Sequence, residues 1–506
     1  MDTDTSPEAV VTSTGAVRGR TEDGLAVFRG IPFAQPPVGD ARFAAPRPAS
    51  AWDGVRDAFA FGPKPPQLPR PGAAAEAPDS SGDWLTVNVW TPAPDRAARR
   101  PVMVWIYGGA YVSGSSAEPQ FNGRRLARER HLVVVSFNYR VGMEGFALLD
   151  GAPANRGLLD QDAALRWVRE NIAAFGGDPD RVTVFGESAG AGSIAALLAM
   201  PSAAGLFQRA ILQSLPGTYA SAELASDVAD FLVRDLGLRP TAAELSAIDP
   251  HKLVRPGGDV LGPQMAEFVD RWGPVARVIT PFSPVVDGEV LPRTPLQAVA
   301  AGAAREIPLI IGHNRDEYRL FLVISGQLGH IGAEQAAEAL RLFGPGSDPE
   351  AAYRAAYSDL SNEQLFELVQ TDWLFRMPAI HLAQAQVAAG GRAHVYELAW
   401  GAPAFGGVLG ACHALDIPLV FGEYAGIGTE LFGMGPTPEI EALSGRIRAA
   451  WTGFAIEGDP GWPAYDAEQR LVQVFDTESV VTAYPEEASR RLWQDHTFDA
   501  IPLLTR

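Results

Sequence analysis

Five short apolar runs, Val102 to Ile106, Leu132 to Phe137, Val182 to Phe185, Pro308 to Ile311 and Val395 to Leu398, recur between stretches of helical pattern. Runs of about four to seven residues rich in Val, Ile and Leu are too short for buried helices and too uniformly apolar for strands with one wet face. They read as strands buried on both faces, and such strands belong to parallel sheets covered by helices. The expected class is therefore α/β, with a large central, mostly parallel, twisted sheet and helices on both sides.

Between two of these runs lies "LLDQDAALRWVRENIAAFGGDPD", where Leu165, Val168 and Ile172 fall at i, i+3 and i+7 and Gly176-Gly177 supplies the stop. It is an amphipathic helix, with Trp167 and Phe175 read as core residues. From Tyr318 to about Gly391 the pattern is mainly helical. Residues 62 to 82, "GPKPPQLPRPGAAAEAPDSSG", resist both helix and strand and read as a long surface loop, the wall or gate of a cleft. No linker splits the chain, so residues 1–506 are expected to form one domain.

The chain has 60 acidic and 41 basic residues, a net charge of -19 that repels phosphate backbones and anionic lipid headgroups. Neither a nucleic-acid partner nor a membrane is expected, and no apolar run reaches the length of a membrane span. The start, "MDTDTSPEAVV", carries acids where a secretory signal needs bases, and Cys412 is the single cysteine, so no intrachain disulfide forms. A cytoplasmic protein is the expectation. The oligomeric state is not legible, and nothing argues against a monomer.

The stretch "FGESAGAGS" places Ser188 between Gly186 and Gly190. In a chain with 52 glycines the Gly-x-Ser-x-Gly pattern alone decides little, so its context carries the reading. "RVTVF" before it is a strand, and "AGAGSIAALLAM" after it is rich in helix formers. A strand turning abruptly into a helix on a serine is the setting of a nucleophile elbow. A serine hydroxyl needs a general base, the base needs an orienting acid, and the developing oxyanion needs amide donors. "WIYGGAYVSGS" supplies a glycine-rich turn after a strand. "IIGHNRDEYRLF" supplies Asp316 and Glu317 after another, and "GACHALDIPLVFG" supplies His413. The order is serine, acid, histidine, with either carboxylate open as the acid.

"FRGIPFAQPPVGDARFAAPRP", "DWLTVNVW", "VMVWIYGGAYVSGSS", "FNYRVGMEGF", "RGLLDQDAALRWVRENIAAFGGDPDRVTVFGESAGAGS", "FQRAILQS", "PFSPVVDGEVLP" and "GACHALDIPLVFG" follow one another along nearly the whole length. In these the chain resembles the type-B carboxylesterases of the α/β-hydrolase fold, the family of cholinesterases, liver carboxylesterases and bacterial para-nitrobenzyl esterases. The resemblance implies Ser188 as nucleophile, His413 as base and Glu317, rather than Asp316, as acid. It implies the amides of Gly109, Ala110 and Ala189 as the oxyanion hole, Gly108 as room for that loop, and Ser214 in support. No metal or organic cofactor is implied. The partner is a small ester, with short-acyl and aryl esters and oligomers of aromatic polyesters as the expected class. Phe321 and the loop at Phe405 are the candidate substrate contacts.

Three positions depart from the family. Ala110 stands where a third glycine is common, Trp84 where cholinesterases have a disulfide cysteine, and Gly82 where an acid is common. Other residues have blander readings. His313 with Asp316 and Glu317 matches no metal-ligand spacing. Cys412 reads as a small core residue, though modified by a bulky thiol reagent it would obstruct His413. Glu187 reads as a structural acid. A rival class is a non-catalytic scaffold, since relatives such as neuroligins and glutactins keep the fold without the nucleophile, but here every triad position is filled.

Overall fold

The computed structural model describes residues 9–68, 82–258, 263–278 and 280–504. Eleven of its strands form one sheet. In chain order they are β1 (Arg20–Glu22), β2 (Leu25–Pro32), β3 (Thr86–Thr91), β4 (Arg100–Ile106), β5 (Val133–Phe137) and β6 (Gly177–Glu187). There follow β7 (Arg209–Gln213), β8 (Leu309–Asn314), β9 (Ala393–Leu398), β10 (Leu471–Phe475) and β11 (Val480–Ala483). The spatial order is β11-β10-β9-β8-β7-β6-β4-β5-β3-β2-β1. Strands β4 to β10 pair in parallel, while β1, β2, β3 and β11 join antiparallel at the two edges.

All five runs read as strands lie in this parallel core. The strand β7 was not among them, because "RAILQ" has a charged and a polar end and only three apolar residues between. Helices Arg156–Asn171, Ala189–Ala199 and Met377–Ala388 pack with the sheet as one group, and Arg124–Arg130, Asp416–Phe421 and Pro438–Glu457 as another. Trp105 shows the density this produces. Its ring is wholly buried among Phe121, Phe185 and Phe421, with centroids 4.9–5.2 Å away. Trp167 and Phe175 are core residues, as read.

The region after Tyr318 is helical: Arg319–Ile324, Ala333–Phe343, Pro349–Ala356, Asn362–Thr371 and Met377–Ala388. Local chemistry sets several starts. Asp348 caps the helix that opens on Pro349, and Ser361 with Gln364 forms a reciprocal capping box. Of the proline-rich loop, residues 69–81 lie outside the described part. Before them, Gln67 both donates to Gly114 O (2.8 Å) and accepts from Gly114 N (2.9 Å), which ties down this part of the loop.

Chain order reverses around β4, whose neighbours are β5 on one side and β6 on the other. Such a switch point opens a crevice at the carboxyl ends of the strands. Here it lies between the turn after β4, which carries Gly108–Ala110, and the turn after β6, which carries Ser188. The segment beneath is pinned by Arg140 and Asp160, a fully buried pair with N–O distances of 2.7 and 2.8 Å. Arg156 is also buried and donates to the carbonyls of Met143, Glu144, Ala147 and Pro153. Burial and the neighbouring Arg140 pull its guanidinium down to about 9, so it remains charged at neutral pH.

Candidate active site

Ser188 sits at φ 56°, ψ -127°, outside the regions that L-residues favour. The strain is held by hydrogen bonds on both sides: Ser188 N donates to Gln213 O and Gly192 N to Ser188 O, each at 2.9 Å. The flanking glycines are a matter of space. A Cβ at Gly186 would lie 2.6 Å from Ile106 O, and one at Gly190 would collide with the same carbonyl. A Cβ at Gly108 would come within 3.0 Å of the Ser188 Cβ, so the turn after β4 presses directly on the serine.

His413 joins this serine to an acid. Its Nε2 is 2.9 Å from Ser188 Oγ and its Nδ1 is 2.6 Å from Glu317 Oε2. Asn314 N donates to the other oxygen of Glu317 (2.8 Å), which fixes the carboxylate at the end of β8. Asp316 points elsewhere, accepting from Ala411 N at 2.9 Å. Of the two carboxylates left open, Glu317 is the one that meets His413. Cys412 is fully buried beside His413, and burial pushes its thiol upward, so a bulky thiol reagent has no route to it.

A second acid closes on the histidine. Glu187 Oε1 lies 3.1 Å from His413 Nε2, the nitrogen that also faces Ser188. Burial, with the nearby charges of Asp416 and Glu317, pushes the Glu187 carboxyl up to about 8 despite the attraction of His413. Burial alone would pull the His413 imidazole down, but attraction from Glu187 and Glu317 outweighs it and leaves the ring pushed up to about 9. The two groups are thus electrostatically coupled, the Glu187 carboxylate favouring the charged imidazole, whereas base chemistry toward Ser188 needs the neutral ring. Glu187→Gln removes the charge that favours the imidazolium, so the acid limb of the kcat/KM profile should move to lower pH. An unmoved or raised limb in pH–rate measurements would refute that coupling.

Three residues in succession after β4 have positive φ: Gly109 at 115°, Ala110 at 55° and Tyr111 at 61°. The amides of Gly109, Ala110 and Ala189 donate to no acceptor among the described residues, whereas Val112 N and Ser113 N are both spent on Gly109 O. Behind the loop, Asn138 Oδ1 accepts from Ser116 N (2.8 Å) and Asn138 Nδ2 donates to Pro63 O (3.0 Å). A left-handed alanine costs about 1–2 kcal/mol, and glycine returns about 0.5–1 kcal/mol of that as unfolded-chain freedom. Ala110→Gly should therefore raise stability by about 0.5–1 kcal/mol, read as an increased midpoint in urea unfolding.

Two chambers meet at Ser188. The smaller, about 40 Å³, is lined by Ala110, Pro216, Phe282, Leu374 and Phe375 among others. The larger, about 1020 Å³, includes Gln67, Phe121, Glu187, Tyr318, Phe321 and His413 in its wall. Phe321 thus lines the larger chamber and also packs on the His413 ring at 5.3 Å. Phe405 does not line either chamber; it is 69% exposed on a turn at φ 53°, which points its ring to solvent. Ser214 is buried, but among the described residues its hydroxyl has no hydrogen-bond partner and so makes no bond to Ser188, His413 or Glu317. Trp84 fills its site as a buried ring.

Sequence reading missed Leu374 and Phe375, which lie in a π-helical turn, Asp372–Arg376. The one local signal was Pro378, which marks a helix start just beyond. It also missed Asp416, a buried acid that accepts from Gln213 Nε2 (2.7 Å) and Tyr396 OH (3.1 Å) beneath the elbow.

A strained serine at the switch point of a mostly parallel sheet, bonded to a histidine and a carboxylate, defines an α/β-hydrolase. Comparison with known proteins gives the family. The profile of the carboxylesterase family matches residues 6–493. The para-nitrobenzyl esterase of Bacillus subtilis (strain 168) is 38% identical over 96% of this chain and 98% of its own. The phenmedipham hydrolase of Pseudarthrobacter oxydans is 35% identical over 93% and 96%. A crystal structure of a Geobacillus stearothermophilus carboxylesterase superposes with a TM-score of 0.84 at 38% identity, covering 96% of this chain and all of that one. The chain belongs to the carboxylesterase family and is a carboxylic ester hydrolase. The non-catalytic reading is set aside by these relatives, which are themselves esterases and hydrolases by name. Among the described residues no helix is long and apolar enough to cross a membrane.

Proposed function

We propose that Ser188, His413 and Glu317 carry ester hydrolysis through an acyl-enzyme. The single observation behind this is the continuous hydrogen-bonded chain from Ser188 Oγ through both nitrogens of His413 to Glu317 Oε2, at 2.9 and 2.6 Å. Ser188 Oγ attacks the ester carbonyl carbon while its proton passes to His413 Nε2, and the imidazolium is held by Glu317. The oxygen that becomes negative is received by the amides of Gly109, Ala110 and Ala189. Collapse of the intermediate breaks the C–O bond to the alcohol, which leaves with the proton from His413. Water then gives a proton to the same nitrogen, attacks the acyl-enzyme and releases the acid, returning the hydroxyl proton to Ser188. No step calls on a metal or organic cofactor.

Substrate class follows from the two chambers. The small apolar one suits a short acyl group, and the large one suits a bulky aryl or alcohol part. Short-acyl and aryl esters are thus the proposed substrates, with oligomers of aromatic polyesters within reach of the larger space. The relatives named para-nitrobenzyl esterase and phenmedipham hydrolase are in keeping with this. We assign the whole chain to one domain and the enzyme to the cytoplasm, supported by its single, buried cysteine.

A series of para-nitrophenyl esters from acetyl to palmitoyl tests the chamber assignment. kcat/KM should be highest among the acetyl to butyryl members and fall by about 10–100-fold toward palmitoyl. A maximum at the long end would reverse the assignment.

A further inference from the structure

The turn Asp372–Arg376 is the π-helical segment in a region of ordinary helices, and such turns are frequent at functional sites. Two of its three middle residues, Leu374 and Phe375, reach the active site. The Phe375 ring stacks on the His413 ring with centroids 4.3 Å apart and planes 28° apart, and Leu374 lines the small chamber. Leu374 O also accepts from Gly217 N (2.9 Å), which ties the turn to the Pro216 wall of the same chamber.

The two end residues are held by a buried polar cluster outside the site. Asp372 Oδ1 accepts from Arg376 Nη1 (2.6 Å), and Asp372 Oδ2 accepts from Tyr353 OH (2.8 Å) and Ser489 Oγ (2.5 Å). Trp493 Nε1 donates to Tyr353 OH at 2.6 Å, so the C-terminal helix Glu487–Trp493 contributes two of the fastenings. Arg376 Nη2 donates to Arg315 O (2.7 Å), two residues before Glu317. One cluster thus fixes the π turn, the approach to the acid and the C-terminal helix together.

An α-helical continuation would advance each residue by a different angle and swing the Leu374 and Phe375 side chains off this face. The π register, and whatever locks it, is a condition of their placement.

We propose that the Asp372–Arg376 turn is a positioning element of the esterase site, in which the Phe375 ring holds the His413 imidazole in its working orientation and Leu374 sets the depth of the acyl chamber. Ser489 and Tyr353 secure it from the C-terminal side. The proposal rests on the assignment of Ser188, His413 and Glu317 above. It names Phe375, Leu374 and Ser489 as positioning and selectivity residues, none of them a participant in proton transfer.

Steady-state kinetics on para-nitrophenyl acetate and butyrate test it with Phe375→Leu, Phe375→Tyr and Ser489→Ala, beside wild type and Ser188→Ala. Phe375→Leu should lower kcat about tenfold on both esters with KM within about twofold, the mark of a misplaced base rather than lost binding. Phe375→Tyr keeps the ring face, so although its hydroxyl intrudes on the small chamber, its kcat should stay at least about threefold above that of Phe375→Leu. Ser489→Ala removes a bond remote from both chambers and should raise the butyrate-to-acetate ratio of kcat/KM about threefold as Leu374 loosens. Wild-type kcat in Phe375→Leu, equal losses in Leu and Tyr, or an unchanged acyl ratio in Ser489→Ala would each overturn the proposal. Turnover surviving in Ser188→Ala would overturn the assignment beneath it instead.

Discussion

Replacing Ser188 by alanine is expected to cut kcat about a millionfold while leaving the fold intact. The Ser188 hydroxyl makes one hydrogen bond to a described residue, to His413, so its loss strands no buried partner that water in the larger chamber fails to reach. The backbone strain at φ 56° is unchanged, since alanine meets the same clash as serine. Nucleophile deletions in enzymes of this type cost on the order of 10⁶ in kcat, with a residual rate from the oxyanion donors and substrate binding. Circular dichroism and the unfolding midpoint should match wild type, and a stopped assay on para-nitrophenyl butyrate should show no burst.

Glu317→Gln is the second large effect. A glutamine fits the same space and can still accept from Asn314 N, but it then turns its NH₂ toward His413 Nδ1. That forces the imidazole into the tautomer with its proton on Nε2, facing Ser188, where it cannot act as a base. An acid-to-amide change in this role costs about 10⁴ in kcat. Asp316→Asn is the matched control. Its oxygen serves Ala411 N and not the histidine, so kcat should stay within about threefold of wild type. Comparable losses in the two variants would mean that the carboxylates share the role.

The core of the fold was legible because it depends on one repeated signal. Uniformly apolar runs set against amphipathic helices specify a parallel sheet wherever they occur, and β4, β5, β6, β8 and β9 all carry it. The edge strands were not, since β1 has a charged residue at each end, "RTE", and is defined by its antiparallel partner rather than its own pattern. The elbow was readable from the requirement for strand, small residues and helix in immediate succession, which the contacts at Gly186 and Gly190 explain. The histidine and acid were readable only as residues of suitable chemistry in a suitable order. Choosing Glu317 over Asp316 by physics needed the path of the loop after β8, which adjacent carboxylates do not reveal.

Substrate contacts were the least legible. Phe321 lines the larger chamber because it lies on the first helix after the acid, whereas Phe405 has a comparable aromatic character but sits on an outward turn. Phe375 was invisible as a neighbour of His413, because its placement depends on a π turn that has no period to detect. The closeness of Glu187 to His413 arises from the elbow itself, which turns consecutive residues 187 and 188 toward one histidine.

The most direct test of the nucleophile assignment is covalent labelling with a diethyl para-nitrophenyl phosphate, followed by intact mass measurement and peptide mapping. One diethylphosphoryl group per chain, located on Ser188, with para-nitrophenol released in equal amount and ester turnover abolished, is the expected result. Labelling at another residue with loss of activity, or full activity after stoichiometric labelling of Ser188, would contradict it.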